Sequence, residues 1–151
     1  MLFAFLFGVI AGLRSMTAPA AVCWAAWAGR LALGDSWLWF LGHPVSPWVF
    51  SALALGELAA DKHPSMPSRK KPLGVAGRLF SGALCGAAFG QAWGAWWAGA
   101  LLGVVGALGG TFGGAAARAW LAKRFGKDWP AAVAEDMVAV GGSVLIVALL
   151  L

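Results

Sequence analysis

The chain has 151 residues, 61% of them apolar and only 11% charged, with eleven Lys and Arg against six Asp and Glu. A soluble domain carries roughly 45–50% apolar and about 25% charged residues, so this chain lacks the polar groups to cover a water-facing surface and reads as an integral membrane protein. With 22 Gly, ten Trp and no Tyr, it excludes a water-soluble enzyme, a nucleic-acid binder and a disordered tail, and its net charge of +5 is a matter of topology.

Crossing a hydrocarbon core roughly 30 Å thick takes about 20 predominantly apolar residues. Five stretches qualify. The first runs from Leu2 to Leu33 and is interrupted by Arg14 and by Thr17-Ala18-Pro19. Pro19 lacks an N–H and clashes with the carbonyl four residues earlier, which predicts a kink or parting near Ser15–Ala18, with Thr17 capping a new half-helix. No basic segment precedes this apolar run, so it is read as a span and not as a cleaved leader. The second span covers Pro47 to Lys62 and the third Leu73 to Ala92. The fourth, Ala95 to Ala122, contains Gly109-Gly110-Thr111-Phe112-Gly113-Gly114. At about 1 kcal/mol per glycine relative to alanine, that segment predicts a second break. The fifth runs from Pro130 to Leu151. The expected fold is one all-α, polytopic transmembrane helix bundle over 1–151, of about five spans, with the first and fourth broken.

Glycine recurs every four residues as Gly82, Gly86, Gly90 and Gly94 in the third span, as Gly106, Gly110 and Gly114 in the fourth, and as Gly8 and Gly12 in the first. Such spacing keeps small residues on one face and lets helix backbones approach closely in lipid. The first and fourth spans also resemble each other. Gly8-Val9-Ile10-Ala11 matches Gly103-Val104-Val105-Gly106, and Thr17-Ala18-Pro19-Ala20-Ala21 matches Thr111-Phe112-Gly113-Gly114-Ala115. An inverted repeat of 1–62 and 95–151 around a linking helix at 73–92 is therefore expected, a plan used by secondary transporters; chance similarity among Gly and Ala is the competing account.

Basic residues select the cytoplasmic side. Lys62, Arg69, Lys70, Lys71 and Arg78 form one group, and Lys123, Arg124 and Lys127 another. With five spans both fall on one face, which places the N-terminus in the cytoplasm and the C-terminus outside. Trp37, Trp39, Trp48, Trp93, Trp96 and Trp97 then gather near the outer boundary as interfacial anchors.

Charges inside a bilayer cost about 2.5–3.5 kcal/mol each on insertion scales, so they face the bundle interior and find partners. The embedded or bordering acids are Glu57, Asp61, Glu135 and Asp136; the bases are Arg14, Arg78 and Arg118. Three readings compete. The acids pair with the arginines and fix helix register; or Glu57 and Glu135 take up protons coupled to substrate movement; or the carboxylates gather a divalent cation, which neighbouring arginines oppose. A half-helix N-terminus beside Arg14, with Thr17 and Thr111, would make an anion cradle. Cys23 and Cys85 carry no disulfide signal. His43 and His63 fall at opposite faces, and no nucleophile–base grouping, nucleotide fingerprint or metal set appears. Neither catalysis, a cofactor nor a metal is expected.

Thr17-Ala-Pro-Ala-Ala, Leu55-Gly-Glu-Leu-Ala-Ala-Asp-Lys62, Gly82-Ala-Leu-Cys-Gly-Ala87 and Glu135-Asp-Met-Val-Ala139 together resemble a family of small bacterial membrane proteins known as domain of unknown function four-one-two-six. The resemblance spans most of the chain, and Gly-Glu-Leu-x-x-Asp-Lys is its most specific part. It implies a bacterial inner-membrane protein and supplies no activity. The residues themselves favour a small homo-oligomeric permease embedded in the lipid bilayer. A small anionic or lipid-like substrate would be held by Arg14, Thr17, Thr111 and Arg118, and Glu57, Asp61, Glu135, Asp136 and Arg78 would serve as proton-coupling or ion-pair groups. A structural subunit locked by ion pairs is the alternative.

Overall fold

The computed structural model describes residues 1–60 and 72–149. Asp61, Lys62, His63 and the run Arg69-Lys70-Lys71 lie outside the described residues. Among those described there is no strand, and six helices follow in order: α1 (Leu2–Leu13), α2 (Thr17–Trp27), α3 (Ser46–Ala60), α4 (Pro72–Gln91), α5 (Trp96–Phe125) and α6 (Asp128–Leu149). A 3-10 turn, Trp39–Gly42, lies between α2 and α3. The last three helices are long and apolar enough to cross a membrane. At 12 residues, α1 reaches only about 18 Å at 1.5 Å per residue.

Glycine sets the packing of the three innermost helices. A Cβ on Gly82, Gly86 or Gly90 of α4 would strike the backbone of α5 at Gly103, Gly99 and Ala95, in that order. One on Gly8 or Gly12 of α1 would strike α5 at Gly103 and at Ala107 and Gly110. Matching positions therefore descend together along α1 and α5 and in opposite senses along α4 and α5. The helices α1 and α5 run parallel, with α4 antiparallel to both. Phe89 of α4 stacks on Phe7 at 4.9 Å and meets Phe3 at 6.1 Å, which places Met1 beside the α4–α5 turn.

The path of α2 decides the topology. Trp24 Nε1 donates to Ser51 Oγ at 3.1 Å and its ring meets Trp48 at 5.2 Å, while Ser15 and Met16 bond to Glu57, so α2 and α3 are antiparallel. Gly42 packs on Ala26, and Trp37 meets Trp96 at 5.8 Å. The far end of α2 is thus back at the α4–α5 turn, where α1 began. Together α1 and α2 form a re-entrant V that enters from one end, turns near the middle of the bundle at Arg14–Met16 and returns. Among the described helices α4, α5 and α6 are long and apolar enough to cross a membrane, whereas α3, of 15 residues, runs from the end that carries Trp37 and Trp96 to Glu57 beside the turn. Leu31, Leu33, Leu38 and Leu41, all buried, close the core over the mouth of the V.

Several expectations are corrected by this geometry. The first stretch is broken as expected, and its second half, α2, folds back beside α1 instead of continuing across. The fourth stretch is unbroken: Trp96–Phe125 is one helix of 30 residues. Its buried glycines, Gly99, Gly103, Gly106 and Gly110, each face another backbone, and contact there outweighs a propensity measured in water. Because α1 and α5 run parallel, these two helices are not related to each other by inversion. The start of α1 and the end of α6 share one end of the bundle. That end carries Trp37, Trp39, Trp93, Trp96 and Trp97, while Lys123, Arg124 and Lys127 lie at the opposite, basic end.

Candidate site at the turn of the re-entrant helices

A broken helix deep in apolar surroundings leaves carbonyls at the end of one half and N–H groups at the start of the other, and lipid offers partners to neither. Three other helices supply them. Arg14 itself leaves the helical conformation (φ −140°, ψ 114°) while its N–H still donates to Ile10 O at 2.8 Å. Thr111 Oγ1 of α5 donates to Gly12 O at 3.3 Å, and Ser81 Oγ of α4 donates to Ser15 O.

The N–H side is met by a carboxylate. Met16, at the N-cap position of α2, makes no side-chain cap of its own. Glu57 of α3 caps in its place: Oε1 accepts from Ser15 N at 2.9 Å and from Ser15 Oγ at 2.7 Å, and Oε2 accepts from Met16 N at 2.8 Å. Pro19 falls in the first turn of α2, where a missing N–H removes a donor that would otherwise need a partner. The positive end of the half-helix dipole thus carries a negative side chain from a neighbouring helix.

Arg14 is only 1% exposed and pairs through Nη2 with Asp136 Oδ1 of α6. Thr17 is 6% exposed, and its hydroxyl has no hydrogen-bond partner. As the first residue of α2, Thr17 carries a side chain that leans back toward the helix start, over the turn. Arg78, buried on α4, lies three residues before Ser81 and so on the same face.

A second polar group sits toward the basic end. Arg118 of α5 clamps Asp128 through two nitrogens, Nε reaching Oδ1 at 2.9 Å, and its Nη1 lies 3.6 Å from Glu135 Oε2. A cavity of about 140 Å³ between α5 and α6 lies beside this group, bounded by Leu13, Gly114, Ala117, Arg118, Glu135 and Val138.

Of the residues singled out in the sequence, Arg14, Thr17, Glu57, Thr111 and Asp136 converge on the turn. Arg118 and Glu135 form the neighbouring group, and Asp61 lies outside the described residues. Among the described residues Glu57 bonds to the amides of Ser15 and Met16 and to the Ser15 hydroxyl, where one of the three readings paired it with an arginine. Ser15, Met16 and Ser81 were missed. Ser15 stands inside the predicted break and Ser81 is spaced three from a buried arginine, so a search for partners of stranded carbonyls and amides would have found both.

The chain belongs to the family described as domain of unknown function (DUF4126), whose model matches residues 1–149. No curated protein and no solved structure matches it.

Proposed function

We propose that this protein is a proton-linked permease of the bacterial inner membrane, without catalytic activity, that moves a small anionic substrate past the turn of the re-entrant helices. The basic end faces the cytoplasm, in keeping with the distribution of Lys and Arg. The observation that carries this reading is the capping of α2 by Glu57. Its bonds to Ser15 and Met16 are charge-assisted, and protonation would remove the charge that strengthens them. A proton at Glu57 would therefore loosen α2 from α3 and free two amides for another anion. Gly109 and Gly113, one turn apart on α5 with open space beside them, offer a close-packing face to a second copy, in support of a homo-oligomer.

A structural role is the second reading. It is favoured by the backbone contact that seals α1, α4 and α5 together and by the ion pairs of Arg14 with Asp136 and Arg118 with Glu135.

Proteoliposomes holding a pH-sensitive dye separate the two. Under an imposed proton gradient, a panel of external anions should collapse the gradient selectively through the wild-type protein, and Glu57→Gln should be folded yet lose that coupling. Equal proton-coupled flux through Glu57→Gln would overturn the carrier reading. A panel without any response, together with a lowered Tm for the variant, is the signature of the structural one.

A further inference from the structure

We infer that the slot between α5 and α6 binds one acyl chain of an anionic glycerophospholipid, with the phosphate of that lipid seated on Arg124 and Lys127. The inference is independent of the carrier reading. Toward α1 and α4 the glycines of α5 bring backbones into contact. Toward α6 the lining residues are largely alanines, Ala117 from α5 and Ala131 and Ala134 from α6, and a cavity of about 140 Å³ remains, bounded also by Leu13 and Leu121. Its rim includes Ala117 and Val138, both exposed, so the slot opens on the lipid-facing side of the bundle. Walls with nothing packed against them forgo dispersion contacts. In a membrane, a hydrocarbon chain is the material at hand to supply them.

Charge defines the headgroup. Arg124 stands three residues beyond Leu121 on α5, and Lys127, just before α6, four ahead of Ala131, so each continues one wall of the slot toward the basic end. Both are exposed, as is Lys123. Arg124 lies over the ring of Trp120 at 5.6 Å, and Trp120 is 59% exposed, the position of an interfacial anchor at headgroup depth. The acids nearby are already engaged, since Arg118 clamps Asp128 and lies 3.6 Å from Glu135. Three bases at the mouth therefore outweigh one neighbouring acid, Asp128, and favour a headgroup of net negative charge. A second copy is a poorer occupant, because two-fold pairing through this face would bring two sets of Lys123, Arg124 and Lys127 together. Neither Gly109 nor Gly113 lines the slot, so lipid here and a dimer through those glycines are compatible.

Native mass spectrometry of the full chain in detergent, offered equal amounts of phosphatidylglycerol and phosphatidylethanolamine with identical chains, is the test. The wild type should retain one phosphatidylglycerol with a preference of about thirtyfold, roughly fivefold for each of the two basic residues. Arg124→Gln with Lys127→Gln should bring that preference close to unity. Ala117→Leu with Ala134→Leu fills the slot while leaving both bases in place, and should lose the retained lipid. Should the filled variant fail to fold, thiol protection decides the matter. Phosphatidylglycerol should slow maleimide labelling of Ala134→Cys and phosphatidylethanolamine should not, against a background kept low by the burial of Cys23 and Cys85. Equal retention of the two lipids by the wild type, or equal slowing by both, overturns the inference. So does a filled variant that keeps its phosphatidylglycerol, since the lipid would then be held by surface charge alone.

Discussion

Every side chain that reaches the turn answers a backbone or charge requirement, so each substitution has a distinct cost. Asp136→Asn keeps the shape of the side chain but removes the charge that Arg14, at 1% exposure, meets through Nη2. Breaking a buried pair costs up to about 3–5 kcal/mol, which should appear as a fall in Tm. Replacing both partners with apolar residues, as Arg14→Met with Asp136→Leu, should recover most of that loss. A double variant as unstable as the single one would show that Arg14 does more than neutralise Asp136. Ser81→Ala is a milder test. It removes the donor to Ser15 O and should cost about 1–3 kcal/mol for a stranded acceptor.

At the scale of helices, composition and spacing were sufficient for the elements but not for their continuity. Pro19 marks a real interruption because no neighbour can replace its missing N–H within a helix. The glycines of α5 look equally disruptive when α5 is considered alone. The helix stays whole because α1 and α4 cover Gly99, Gly103, Gly106 and Gly110, and the close backbone contact there outweighs the cost of the two open glycines, Gly109 and Gly113. What separates the two cases is a tertiary contact, which a single helix's sequence does not contain. The difference can be measured. Gly86→Ala and Gly103→Ala each place a methyl group against backbone of the facing helix and should destabilise by about 1–3 kcal/mol through overpacking. Gly109→Ala, on the open side of the same helix, should be neutral or slightly stabilising through improved helix propensity. Equal effects at the three positions would mean that close approach is not what holds α4 and α5 together. Leucine at both Gly109 and Gly113 should leave Tm nearly unchanged while abolishing cross-linked dimers, if that face meets a second copy.

For the whole molecule, the membrane class, the helices and most of the polar residues of the turn could be read from the chain, whereas the direction of travel could not. Local signals specify that the backbone parts near Arg14, yet a parted helix can continue across or fold back with the same residues. The decision lies in contacts distant in sequence: Ser15 with Glu57, Trp37 with Trp96, and Phe3 with Phe89. Folding back reverses the end at which α1 starts, from the basic end to the tryptophan end, without disturbing the charge bias of the turns. Impermeant maleimide labelling on intact cells tests that reversal directly. Leu2→Cys and Trp93→Cys place exposed thiols at the tryptophan end and Lys127→Cys at the basic end, while native Cys23 and Cys85 are fully buried. With the basic end in the cytoplasm, the first two should be labelled from outside and the third only after permeabilisation. Labelling of Leu2→Cys that tracks Lys127→Cys would mean that α1 and α2 cross in line, and the pairing of Glu57 with the start of α2 would have to be abandoned along with the carrier built on it.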